Sequence, residues 1–155
     1  MEAKINSYYG RGYSDYLYAK AGMEVGRVHG DYNGVAAMCA QAAEKYLKAI
    51  LERCTMDQEV MTLLRSHNLR ALLNRIKQDY PEFEASTKDV KWLGDFYFDA
   101  RYPGDNFVVV TQEDAEECLR LTKELQERTQ ELLGKEEQKQ KEKKHIIQNL
   151  DEFTI

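Results

Sequence analysis

The sequence predicts an all-α fold, an up-and-down antiparallel helical bundle of about five helices. Three observations carry that expectation. The 155 residues include only 2 prolines, which leaves long stretches free to be helical. The 9 glycines are too few for a sandwich built on many tight turns. Apolar residues recur three and four apart along most of the chain, which is the period of one helix face.

The elements follow in order. Residues 1–13, with Tyr8, Tyr9, Gly10 and Gly12, read as an N-terminal arm. Ser14 is the expected cap of the first helix, whose stripe is Leu17, Ala21, Val25 and Val28. Gly22 and Gly26 lie four apart on an adjacent face. Each glycine costs a helix about 1 kcal/mol against alanine, so the pair points to a close helix crossing. Gly30 ends this helix. Asp31 or Asn33 caps the second helix, in which Val35, Cys39, Ala42, Tyr46, Ala49 and Ile50 form one face, with Ala36, Ala43, Leu47 and Leu51 beside it. A helix apolar around so much of its girth belongs at the centre of a bundle. Glu44, Lys45 and Lys48 mark its polar edge.

Leu69, Leu72, Leu73 and Ile76 give a third stripe, stopped at Tyr80-Pro81 because the residue before proline is pushed away from helix. Ser86 or Thr87 starts a fourth helix through Val90, Leu93, Phe96, Tyr97 and Ala100, broken at Pro103-Gly104. Residues 107–110 read as an extended connection. Thr111 and Asp114 resemble a capping box for a long fifth stripe, Ala115, Cys118, Leu119, Thr122, Leu125, Thr129, Leu132 and Leu133, ending at Gly134. Residues 135–144 then hold five lysines, three glutamates and no apolar residue, a solvated helix extension or a flexible tail. Ile146, Ile147, Leu150 and Phe153 form a small apolar patch that cannot fold alone. The expected organisation is an arm over 1–13, one helical bundle over 14–134 and a charged extension over 135–155.

Composition excludes several classes. The net charge of −5 argues against a generic binder of nucleic-acid backbone, while leaving a local basic patch open. Cys39, Cys54 and Cys118 form no C-x-x-C pair and no Cys/His cluster, so neither a metal nor a disulfide framework is expected. Free thiols suit a reducing compartment, the start of the chain carries no signal-peptide core, and a cytoplasmic location is expected. The longest charge-free stretch, residues 32–43, falls short of the ~20 residues a membrane helix needs, so no membrane association is expected. No phosphate loop or dinucleotide fingerprint is visible, and no cofactor is expected.

Three segments then stand out together. They are Gln41-Ala-Ala-Glu-Lys45 followed by Leu47-Lys-Ala-Ile-Leu51, then Ser66-His-Asn-Leu-Arg-Ala-Leu-Leu73, then Tyr97-Phe-Asp-Ala-Arg-Tyr-Pro103. In order and spacing they resemble the signature of the HEPN domain family, over about Ser14 to Gly134. The resemblance implies a helical bundle, usually a homodimer. It also implies one of three roles: a metal-independent RNase, a toxin partner of a small nucleotidyltransferase, or a non-catalytic module that binds a nucleotide or RNA.

The RNase branch of that family carries an arginine and, four to six residues on, a histidine. Histidine titrates near neutrality and moves the proton of a ribose 2′-hydroxyl, while arginine grips the phosphate with a forked pair of hydrogen bonds. Arg101 matches the arginine, but Asn106, Phe107 and Val108 stand where the histidine belongs, and none of them titrates near pH 7. Asn106 still donates and accepts hydrogen bonds. The expectation is therefore a homodimeric binding module for a nucleotide, RNA or a nucleotidyltransferase partner, without catalysis. The alternative is a toxin-like RNase with a non-standard site at Arg101, for which His67 is the other catalytic candidate beside Asn106. The ligand-binding candidates are Arg101, Tyr97, Tyr102, Asp105, Glu44 and Lys45. Read as residues alone, Arg101 equally suits an ion pair with Asp99, Asp105 or Glu44, and Tyr97 and Tyr102 suit the edge of a core.

Overall fold

The computed structural model describes residues 4–152, so the expected contribution of Phe153 lies outside the described residues. Among these, six helices and no strand occur: α1 (Tyr8–His29), α2 (Asn33–Leu51), α3 (Gln58–Leu63), α4 (Leu69–Asp79), α5 (Thr87–Asp99) and α6 (Gln112–Glu152). α1, α2, α4, α5 and α6 correspond to the five expected helices. The sixth, α3, is a single short turn capped by Asp57, and Val60 is its one buried residue.

α2 is the centre. It packs against α1, α4, α5 and α6, and Tyr46, Leu47, Ile50 and Leu51 are fully buried. Its apolar girth is what permits neighbours on nearly every side. α2 starts after Tyr32 with no side-chain cap, so neither Asp31 nor Asn33 caps it as expected, and Asp31 Oδ1 accepts from Asn33 N at 2.9 Å. α4, α5 and α6 start at side-chain caps that relieve the unpaired first-turn amides. Asn68 accepts from Ala71 N at 3.1 Å, and Ser86 accepts from Asp89 N at 3.2 Å. Thr111 and Asp114 form the expected reciprocal box, at 3.0 Å and 3.4 Å.

The first helix departs from expectation in two ways. Its cap is Ser7, whose hydroxyl accepts from Gly10 N at 2.9 Å, so Tyr8 to Tyr13 belong to α1 rather than to an arm, and Ser14 lies inside the helix. Its buried face is Tyr9, Gly12, Tyr16, Ala19 and Gly26, whereas Leu17, Val25 and Val28 are exposed. The glycines decide this. A Cβ at Gly12 would stand 3.0 Å from the Tyr46 ring, and one at Gly26 would run into the Tyr32 ring. α1 therefore seats its glycines, not its aliphatic stripe, against α2. Of the pair expected to mark a close crossing, Gly22 meets α2, where a Cβ would stand 3.1 Å from Val35, and Gly26 meets Tyr32 in the connection.

A buried arginine ties the connection after α2 to α4. Arg75 lies 2.9 Å from Asp57, 3.5 Å from Glu59 and 3.4 Å from Asp79, and donates to Thr55 O at 3.1 Å. The hydrogen bond from Arg75 holds the Asp57 carboxyl below the usual range, and the Thr55 amide, followed by Arg75, does the same for Asp79.

α6 continues without a break through Gly134. Beyond Glu136 it is exposed on all sides, Ile146 and Ile147 included. Of the two expectations for residues 135–144, the solvated helix extension holds.

Candidate functional site

α2 places Gln41, Glu44 and Lys48 on one face by their spacing of three and four. This face is not a solvated edge. Glu44 and Lys48 are 7% and 5% exposed, and their charges meet at 3.2 Å. The second Glu44 oxygen lies 2.7 Å from His67 Nδ1. Stripping two charges of water is costly, and here one carboxylate serves two partners, which offsets part of that cost.

His67 sits just before the Asn68 cap of α4, where the chain is held by Asn68 N donating to Ser66 Oγ at 3.0 Å. Its ring stacks on Tyr97 with centroids 4.5 Å apart and planes 18° apart. The Arg101 guanidinium lies 5.7 Å from the centre of the same Tyr97 ring, within reach of a cation–π attraction. Gln41, with its amide oxygen turned to the guanidinium, accepts from Arg101. No ion pair joins Arg101 to an acid among the described residues, so the expected alternative of Asp99, Asp105 or Glu44 as its partner is not what forms. Phe98 and Tyr102 extend the aromatic cluster outwards, their rings 6.2 Å apart and each residue 56% exposed.

Arg101 owes its place to a tethered connection. After α5 the chain makes a turn in which Arg101 N and Tyr102 N both donate to Phe98 O at 3.1 Å. Asn33, at the start of α2, then binds both sides of the loop. Its Nδ2 donates to Ala100 O at 2.9 Å and Val108 O at 2.8 Å, and its Oδ1 accepts from Val110 N at 2.9 Å. Residues 107–110 carry no regular secondary structure, and Asn33 ties them to α2 through Val108 O and Val110 N.

The structure thus brings Glu44, His67, Tyr97, Arg101 and Tyr102 into one cluster. Asp105 and Asn106 are exposed on the following turn, and no described hydrogen bond, ion pair or ring contact joins them to it. Lys45 points elsewhere and pairs with Asp15 of α1. Gln41, Lys48, Phe98 and Asn33 complete the arrangement and were not singled out as site residues from the sequence. The legible signal for the first two was polar residues three and four apart on an otherwise apolar helix. Among the described residues, no group of three or more His, Cys, Asp or Glu side chains could hold a metal ion.

The three segments that drew attention in the sequence lie on α2, at the start of α4 and at the end of α5, and all three converge on this cluster. The family model of the HEPN domain matches residues 18–133. The chain belongs to the HEPN domain family. Neither a curated protein nor a solved structure matches it. The HEPN match begins within α1 at Tyr18 and stops at Leu133, short of the exposed part of α6. No described helix is long and apolar enough to cross a membrane.

Proposed function

We propose that this HEPN protein is a non-catalytic binding module for a nucleotide or single-stranded RNA, with Arg101 holding a phosphate and Tyr102 and Phe98 stacking a base. The carrying observation is the arginine beside an exposed aromatic pair. Arg101 is oriented by Gln41 and Tyr97 rather than neutralised by a carboxylate, so its charge remains available to an anion. Stacking a base on an exposed aromatic ring contributes about 1–3 kcal/mol, and it needs no particular sequence. The overall charge of −5 fits a site that works through one oriented arginine and ring faces rather than through a broad basic field.

In this reading the protein acts as a homodimer. The exposed Leu17, Val25 and Val28 stripe of α1 supports that assignment, since an aliphatic row facing water is otherwise unexplained. The exposed Ile146 and Ile147 on α6 offer a separate place for a protein partner, a nucleotidyltransferase in the expectation set by the family.

The test is fluorescence anisotropy of a labelled single-stranded RNA with wild type, Arg101→Ala and Tyr102→Ala. Wild type binds, and Arg101→Ala weakens binding about ten- to a hundredfold, as expected for a charge-assisted contact of about 1.5–3 kcal/mol. Equal binding by all three proteins, or none by wild type, removes the reading.

One observation favours a second reading, a metal-independent RNase. Glu44 occupies His67 Nδ1 and leaves Nε2 as the nitrogen that meets a ligand, the arrangement by which a carboxylate orients a catalytic imidazole. His67 would then take the 2′-hydroxyl proton as that oxygen attacks phosphorus to form a 2′,3′-cyclic phosphate, and the departing 5′-oxygen would take its proton from water. RNA cleavage in chelator by wild type, lost in both His67→Ala and Arg101→Ala, would put this reading in place of the first.

A further inference from the structure

We infer that the groove between the start of α4 and the middle of α5 is a second phosphate subsite, so that the ligand is a single-stranded RNA segment rather than a free mononucleotide. This rests on the nucleic-acid reading of the Arg101 site and deepens it. The groove has a volume of about 280 Å³, and its walls carry Arg70 from α4 and Lys91 and Asp95 from α5.

Three features join it to the aromatic cluster. The first is a shared wall, because His67 lines the groove and also stacks on Tyr97. The second is helical phase. Lys91, Asp95, Phe98 and Tyr102 follow one another at spacings of four, three and four, and Gly94, Tyr97 and Arg101 form the adjacent row. One face of α5 and its last turn therefore runs about 16 Å from the groove to Tyr102, at about 1.5 Å per residue. The third is close packing at Gly94. A Cβ there would lie 3.3 Å from the Leu69 Cβ, so the two helices meet tightly under the groove and bring Arg70 and Lys91 to its opposite walls.

Along this face Lys91 and its carboxylate partner Asp95 come first and the rings of Phe98 and Tyr102 follow, with Arg101 in the adjacent row. That is the pattern of a track for a single strand, where phosphates meet charge and bases meet ring faces. Arg70 has no ion pair among the described residues. Lys91 is paired with Asp95 at 3.5 Å, both about half exposed, and such a pair contributes little that a phosphate would not replace. A mononucleotide at Arg101 and Tyr102 would leave both cations at the far end unused.

The experiment compares the wild-type protein and the Arg70→Ala/Lys91→Ala double variant in binding labelled AMP and a labelled RNA octamer across a salt series, with circular dichroism checking the fold. The wild type is expected to bind the octamer at least tenfold more tightly than AMP. The double variant is expected to bind AMP as the wild type does and to lose most of the octamer advantage. Its salt slope for the octamer falls by about 0.7, the amount for the one phosphate the subsite holds on a single strand. Equal wild-type affinity for AMP and octamer, or an unchanged slope in the variant, overturns the track and leaves the Arg101 reading in place. Failure of the wild type to bind either probe overturns both.

Discussion

Asn33→Ala isolates the tether that places Arg101. The Asn33 side chain satisfies Ala100 O, Val108 O and Val110 N. Ala100 and Val110 are 4% and 2% exposed, so their freed groups have no route to water, whereas exposed Val108 does. An orphaned buried group costs about 1–3 kcal/mol, and two of them give about 2–6 kcal/mol. Against a typical domain stability of about 5–15 kcal/mol, the variant remains foldable but weakened. Urea unfolding followed by circular dichroism should show the midpoint lowered by about 1 M or more at an m-value of about 2 kcal/mol/M. Hydrogen exchange at the Val110 amide should accelerate more than exchange in α2. Asn33→Asp should be no better than Asn33→Ala, because it presents a carboxylate to two carbonyl oxygens. A loss under about 0.5 kcal/mol in Asn33→Ala would refute the claim that these bonds hold the loop.

Other outcomes follow from the packing and charge. Asp57 and Asp79 have lowered carboxyl pKa values in the fold, so their stabilisation is complete above the unfolded value of about 3.9 and is lost as pH falls through the folded values. Urea midpoints between pH 3 and 6 should therefore drop at the acid end in wild type, and Arg75→Gln should flatten that drop while lowering stability at pH 7. Burial pushes the Cys39 and Cys54 thiols up to about 12 and raises Cys118 as well. The native protein should therefore resist an aromatic disulfide reagent at pH 8 and react fully in guanidinium; a fast native thiol would contradict this. Gly26→Ala should destabilise by about 1–3 kcal/mol by forcing the Tyr32 ring aside, although alanine is the better helix former. Gly134→Ala has open space around its Cβ and should raise Tm by about 2–4 °C, which differential scanning calorimetry would read.

The ends of α4 and α5 were legible because their signals are local. A cap, a proline or a run of aliphatic residues acts within one or two turns. α1 was misjudged because hydropathy favours Leu17, Val25 and Val28, while the packed face is built of glycine and tyrosine. Shape, not transfer free energy, decides that contact, and shape depends on the partner ring. α3 was invisible because Val60 is its one buried residue and six residues show no period. The site was legible in part. Arg101, Tyr97, His67 and Glu44 were singled out through the family resemblance, and Lys45 was grouped with them although one residue along a helix turns the side chain by about 100°. The roles of Asn33 and Gln41 depend on partners 60 or more positions away, and no single-chain pattern encodes them.

The exposed end of α6 has a geometric consequence. From Glu136 to Glu152 the helix advances about 24 Å, at about 1.5 Å per residue. Because α6 is unbroken from the core outwards, Ile146 and Ile147 are indexed to the bundle like teeth on a shaft. Deleting one residue between Gly134 and His145 would retract them by about 1.5 Å but swing them by about 100°, while deleting seven would restore their heading to within about 20°. The bundle's stability would not register either change, so the length of this lysine- and glutamate-rich segment acts as a dial for direction. Anything that docks at Ile146 and Ile147 meets the Arg101 cluster at an angle set by counting residues.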